Sequence, residues 1–175
     1  MNTVRMVILS FLSLIILLSG VVSAETTSVI SRNNEFGGMT LEIVYSSVDK
    51  ESKDTLKIAG YFNSSNRVVK KEIFYTDSHA GQSGVDRSIA WFDGNGKTTQ
   101  LEDFYTDKYA DESGVSRAIH YFDGNGEITK LEDFIADRHV SKKGFNRRVA
   151  YVDSDGHPTL IELYMNDRLI KTFNP

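Results

Sequence analysis

The sequence predicts an all-β fold: an antiparallel meander of about ten strands joined by short connections. Laid out in rows of thirty, the chain repeats itself over 61–90, 91–120, 121–150 and a degenerate last copy, 151–175. Each row holds two runs rich in aromatic and β-branched residues with a period of two, the signature of strands. Asp93-Gly94-Asn95-Gly96 and its equivalents separate the runs, and Asn and Gly tolerate the positive φ of tight hairpins. Arg87, Ile89 and Trp91, with Leu101, Asp103 and Tyr105, are expected on one face; Ala90 and Phe92, with Gln100, Glu102 and Phe104, on the other. Neither face is cleanly apolar. A sandwich would show one greasy face and one polar face, so a single-layer or loosely curled sheet is expected, with nearest-neighbour stabilisation. Closure into an up-and-down barrel, which would remove the edges, is the alternative.

In chain order, residues 1–24 read as a signal peptide. Arg5 precedes an apolar run from Met6 to Leu18, and Val22-Ser23-Ala24 has the small residues of a cleavage site before Glu25. An uncleaved anchor is the alternative, but the run is shorter than the ~20 residues of a spanning helix. Periplasmic or extracellular localisation follows, with no stable membrane span after cleavage. Residues 25–38 are polar, end in Gly37-Gly38 and read as a flexible linker. The repeat domain is expected over 39–175. It opens with a strand over Met39–Ser46, a charged turn over 49–54 and a strand over Leu56–Asn63. Pro158 suggests an edge or a strand start, and Arg168–Phe173 a final strand. Asp77 and Gly84, with Asp107 and Gly114 and then Asp137 and Gly144, bracket either a capped helical turn or a plain loop.

The hairpin loop sets a register. A three-residue loop, Gly94-Asn95-Gly96, with Gly96 in the left-handed position of a G1 bulge, puts Asp93 opposite Lys97. Counting on without interruption pairs Trp91 with Thr99, Ile89 with Leu101 and Arg87 with Asp103. The next copy pairs Ile119 with Leu131 and Arg117 with Asp133, and the last Arg147 with Leu163. A two-residue loop would instead set Arg87 opposite Glu102.

Tyr121-Phe122-Asp123-Gly124-Asn125-Gly126 followed by an alternating strand resembles the YD repeats of RHS-type secreted proteins. It is also similar to the hairpin repeats of YwqK-type (MORN-variant) proteins. The resemblance covers about 61–167 and implies a sheet of hairpins with an interaction role. It transfers no functional residue.

The chain carries a formal net charge of −4, one unit more negative without Arg5. That argues against nucleic-acid partners and anionic membrane surfaces, which need a basic footprint. There is no cysteine, hence no disulfide and no thiol nucleophile. The tetrads at 93–96, 123–126 and 153–156 look like fragments of calcium loops. Each offers at most two side-chain oxygens, short of an EF-hand's set, so no metal and no cofactor is expected. His79 and His139 share a repeat position but fall too far apart to share an ion. Glu72, Glu102, Glu132 and Glu162 recur at one position, as do Asp77, Asp107, Asp137 and Asp167. A catalytic pair needs one special environment, so repetition favours a solvated or Lys/Arg-paired ladder over glycosidase chemistry.

What remains is a secreted or periplasmic, non-enzymatic binding or structural module, with a protein partner expected, by way of an exposed sheet edge. An immunity-type inhibitor and an enzyme rank lower. The alternative is envelope carbohydrate. Tyr61, Trp91, Tyr121 and Tyr151 occupy one repeat position, on one face of alternate strands. Strands ~4.8 Å apart space them by roughly 9.6 Å, near the repeat of an extended disaccharide. Cross-strand packing is the simpler role for such rings.

Overall fold

The computed structural model describes residues 26–45 and 54–175. The signal peptide, its cleavage before Glu25 and nearly all of the charged turn over 49–54 lie outside the described residues. Eleven strands form one antiparallel sheet in strict sequence order: β1 (Thr26–Asn33), β2 (Gly37–Tyr45), β3 (Thr55–Asn63), β4 (Val68–Tyr75), β5 (Val85–Phe92), β6 (Thr98–Tyr105), β7 (Val115–Phe122), β8 (Ile128–Ile135), β9 (Arg147–Val152), β10 (Pro158–Met165) and β11 (Arg168–Phe173). The sheet is an open meander with β1 and β11 at its edges, not a barrel. Pro158 opens β10, as expected of a residue without an N–H. Most of the segment expected to be a linker is strand: residues 26–33 pair along β2 as β1. Thr26, Thr27, Val29 and Ile30 are β-branched and favour a strand, but the segment lacks a period of two, and its pairing is supplied by a partner already in the sheet.

The hairpin loops form as anticipated. The Asp93 N–H donates to the Lys97 carbonyl at 2.9 Å, the Gly96 N–H to the Asp93 carbonyl at 3.1 Å, and Gly96 takes φ +82. The Asp93 carboxylate holds the loop from inside, accepting from the N–H groups of Asn95 (2.8 Å) and Lys97 (2.9 Å). Asp123 and Asp153 repeat these bonds, and Asn63 does so with its amide oxygen. Backbone hydrogen bonds pull the carboxyls of Asp93 and Asp123 below their ordinary range.

The register beyond the loop differs from the uninterrupted count. Phe92 pairs with Thr98 but Trp91 with Gln100, so Thr99 is an extra residue, a bulge. Its hydroxyl donates to the Trp91 carbonyl at 3.3 Å, and Thr129 and Thr159 do the same to Tyr121 and Tyr151. Every residue beyond the bulge shifts by one. Ile89 therefore faces Glu102, not Leu101, and Arg87 faces Phe104, not Asp103. Likewise Ile119 faces Glu132, Arg117 faces Phe134, and Arg147 faces Tyr164. Asp103 instead accepts the Ser88 hydroxyl at 2.5 Å. The two faces are thus recombined: Arg87, Ile89 and Trp91 lie with Gln100, Glu102 and Phe104.

The long connections are seven-residue helices: α1 (Asp77–Ser83), α2 (Asp107–Ser113) and α3 (Asp137–Lys143). Thr76 and Thr106, one residue before the bracketing aspartates, are the N-caps, each accepting a backbone N–H at 3.3 Å. Ala136 replaces threonine before α3 and makes no side-chain cap. Gly84, Gly114 and Gly144 end the helices in the left-handed region. A Cβ on Gly84 would also come within 2.7 Å of Tyr109 Cγ. Ala80 and Ala110 are buried. The helices therefore line one end of the sheet, together with the Asn166-Asp167 turn, and the repeated Asp-Gly-Asn-Gly type loops the other. Both ends tie the first of these repeats to the second: Thr106 N–H donates to the Gly84 carbonyl at 2.8 Å, and Arg67 Nη1 to the Gly94 carbonyl at 2.6 Å. Buried side chains are spread along both faces: Ala59, Ile89, Ile119 and Val149 on one, Ile43, Ile58 and Ala118 on the other. The consequence is a sheet stabilised strand by strand.

Candidate functional site

Directly opposed residues of an antiparallel pair share a face. Glu72, Ile89, Glu102, Ile119, Glu132, Val149 and Glu162 oppose one another in turn. A row of alternating glutamates and apolar side chains therefore crosses this front face. Two rows flank it. One runs Tyr61, Lys70, Trp91, Gln100, Tyr121, Lys130, Tyr151. The other runs Lys57, Phe74, Arg87, Phe104, Arg117, Phe134, Arg147, Tyr164. In both, aromatic rings alternate with cations or amides. A cation within about 6 Å of a ring centroid is attracted by the ring's quadrupole. Arg87 lies 4.0 Å from the Phe104 ring, Arg117 3.7 Å from Phe134 and Arg147 4.2 Å from Tyr164. In the first row Lys70 lies 4.4 Å from Tyr61 and 5.3 Å from Trp91, and Lys130 lies 3.6 Å from Tyr121.

The anticipated column of Tyr61, Trp91, Tyr121 and Tyr151 is therefore real as a row, but its members are separated by Lys70, Gln100 and Lys130. Trp91 has Lys70 and Gln100 as cross-strand neighbours; Thr99 is in the bulge. Phe36, from the β1–β2 loop, packs edge-on against both Tyr61 and Trp91 at 6.2 Å. Sequence reasoning missed Phe36 because the segment around it read as linker. It missed the interleaving lysines because the bulge moves them to this face.

The glutamates are the most enclosed charges of the site: side chains of Glu72, Glu102 and Glu132 are 12%, 11% and 10% exposed. Carboxylates so covered need donors. Glu72 takes Lys70 Nζ at 2.5 Å and the Tyr61 hydroxyl at 3.2 Å. Glu132 takes Lys130 Nζ at 2.8 Å and Arg147 Nη1 at 3.3 Å. Glu162 takes the hydroxyls of Tyr151 (3.4 Å) and Tyr164 (2.8 Å). Among the described residues Glu102 takes only Arg117 Nη1, at 2.7 Å. Burial pushes the Glu132 carboxyl up, but hydrogen bonds and charge from Lys130 and Arg147 outweigh it and hold it below its ordinary value. Burial and the glutamate charges raise the phenols of Tyr61 and Tyr121. The ladder is paired rather than solvated, and its repeated carboxylates act as acceptors for neighbouring side chains.

Of the other candidates, His79 stacks on Tyr75 at 4.3 Å. Asp153, Asp155 and His157 place ligand atoms near one another on an exposed loop. One Asp153 oxygen already accepts two backbone N–H groups there, as in the other loops. Asp77, Asp107 and Asp137 sit in the first turns of the helices, where the dipole favours an acid. Among the described residues no helix is long and apolar enough to cross a membrane.

No protein-family model and no curated protein matches the chain. Among solved structures it is similar to a crystal structure of a TarM mutant of S. aureus in complex with Fondaparinux, alpha-GlcNAc-glycerol and UDP. The match has a TM-score of 0.44 and 10% identity, and covers 89% of this chain and 26% of that one. The chain thus spans about a quarter of that protein's length.

Proposed function

We propose that the chain is an exported, non-enzymatic binding module whose partner is a protein that adds a strand to the sheet at β11. The observation that carries this reading is the state of that edge. All six residues of β11 are exposed, and Leu169, Ile170 and Phe173 leave 47%, 47% and 39% of their surface to solvent. An edge strand presents unpaired N–H and C=O groups, a template for β-augmentation. Charge gives the partner strand a character. β11 carries Arg168 and Lys171 and no acid, whereas two of the strands that pair with odd-numbered strands, β6 and β8, bring Glu102 and Asp103, and Glu132 and Asp133. Two basic residues on the edge disfavour self-pairing and favour an acidic, alternating strand. The pairing of each repeat glutamate to neighbours of its own sheet supports a structural rather than a catalytic role for the ladder. The carbohydrate alternative is the weaker one, because Lys70 and Lys130 lie close to Tyr61 and Tyr121, which a sugar would use.

The test is capture from the native exported fraction with the wild-type chain and with Lys171→Glu, which keeps the fold and reverses the edge charge. A partner retained by the wild type and lost by Lys171→Glu is the expected result. Equal capture by both would overturn the edge reading.

A further inference from the structure

We infer that the front face holds a docking site for a lysine side chain of a partner protein, between Trp91 and Tyr121 and above Glu102. The inference rests on the protein-binding reading but not on β11. It comes from what one repeat lacks. In the copy before it, Lys70 lies beside two rings and binds Glu72 at 2.5 Å. In the copy after it, Lys130 lies beside Tyr121 and binds Glu132 at 2.8 Å. In the middle copy the same position is Gln100, paired in register with Trp91 on one side and Tyr121 on the other. Two rings and a carboxylate stand as they do in the neighbouring copies, without the ammonium.

A second departure falls in the same copy. Tyr61 donates its hydroxyl to Glu72, and Tyr151 donates to Glu162. The equivalent ring over Glu102 is Trp91, which has no hydroxyl. Among the described residues Glu102, 9% exposed as a residue, is left with a single donor, Arg117, while each of the other three repeat glutamates has two or more. A covered carboxylate gains from a further charged donor, and tryptophan is the strongest of the cation-binding rings. Gln100 blocks nothing firmly, since its amide makes no hydrogen bond among the described residues. The occupant is specified by the neighbouring copies: a primary ammonium on an unbranched alkyl stem, as Lys70 and Lys130 present. A quaternary ammonium would satisfy the rings but offers no N–H to Glu102.

Trp91 is the only tryptophan of the chain, so its fluorescence reports on this site alone. The probe is Nα-acetyl-lysine methylamide, titrated at constant ionic strength beside its Nε-acetylated form and tetramethylammonium. The expected result is a saturable change in Trp91 emission in the millimolar range, absent with the Nε-acetylated probe and several-fold weaker with tetramethylammonium. Gln100→Lys supplies the missing ammonium internally. It should bind the lysine probe at least about tenfold more weakly, as loss of one charge-assisted contact implies, and should unfold at a higher temperature than the wild type. Silence of Trp91 to the lysine probe, equal response to tetramethylammonium, or undiminished binding by Gln100→Lys would each overturn the site. Silence here together with a β11-dependent partner ends the lysine site alone. A lysine response without such a partner ends the edge reading alone.

Discussion

At the scale of residues, the front face behaves as a lattice of opposite charges and rings in which each group depends on neighbours from adjacent strands. Arg117 and Glu102 are coupled directly at 2.7 Å, whereas Arg87 lies against Phe104 and Asp103 accepts from Ser88. A double-mutant cycle to alanine should therefore give about 1 kcal/mol of favourable coupling for Arg117 with Glu102, and close to zero for Arg87 with Asp103. Measurable coupling only in the second pair would mean that the bulge is absent in solution. Acid dependence follows from the same contacts. The folded state holds Glu132 below its ordinary value of 4.5, so the unfolded chain takes up protons first as pH falls. Stability present above about pH 4.5 should drain away through the folded-state value, because protonation then favours the unfolded chain. Urea titrations from pH 7 to pH 3 should show that loss, with a shallower slope in Glu132→Gln. At the alkaline end burial pushes the Tyr105 phenol to about 12. The unfolded phenol ionises first, so stability should fall as pH rises from about 10 towards 12, and less so in Tyr105→Phe.

At the scale of elements, the helices differ in one atom group that matters. Thr106 caps α2 and Ala136 fails to cap α3. Thr106→Ala should cost about 1 kcal/mol in chemical denaturation, and a cost near zero would show that the helix is held by Ala110 packing alone. The elements also show what the sequence made readable. Asp93-Gly94-Asn95-Gly96 announces its loop, because the aspartate and the left-handed glycine have few other uses in that order. Gly84, Gly114 and Gly144 bracket either a capped turn or a plain loop in the sequence, and the structure makes them helix ends. Thr99, Thr129 and Thr159 announce nothing, since threonine is an ordinary strand residue and its bulge is set by cross-strand pairing. That single hidden residue per hairpin decides which side chains meet. The aromatic column survived the error because its members share a repeat position, so equal shifts leave them aligned. Its partners Lys70, Gln100 and Lys130, and the donors around each glutamate, depend on the true register and were out of reach. The segment 26–33 was missed for a related reason: its strand is made by β2, not by its own alternation.

At the scale of the molecule, stability accumulates from one strand pair to the next rather than from one enclosed core. Deletion of residues 91–120 joins Ala90 to Tyr121 at equivalent repeat positions. The shortened chain should fold cooperatively, with a smaller denaturant m value in proportion to the surface removed; a chain that fails to fold would mean that the repeats are not independent units. The same open architecture leaves β1 and β11 as edges, and the proposed partner strand joins at β11. Hydrogen exchange of the β11 backbone amides, measured in the free chain and in the captured complex, tests that central claim most directly. The account predicts fast exchange in the free chain for those amides of 168–173 that point away from β10, and strong protection of the same amides in the complex. Unchanged exchange of those amides in a complex that is otherwise intact would contradict it.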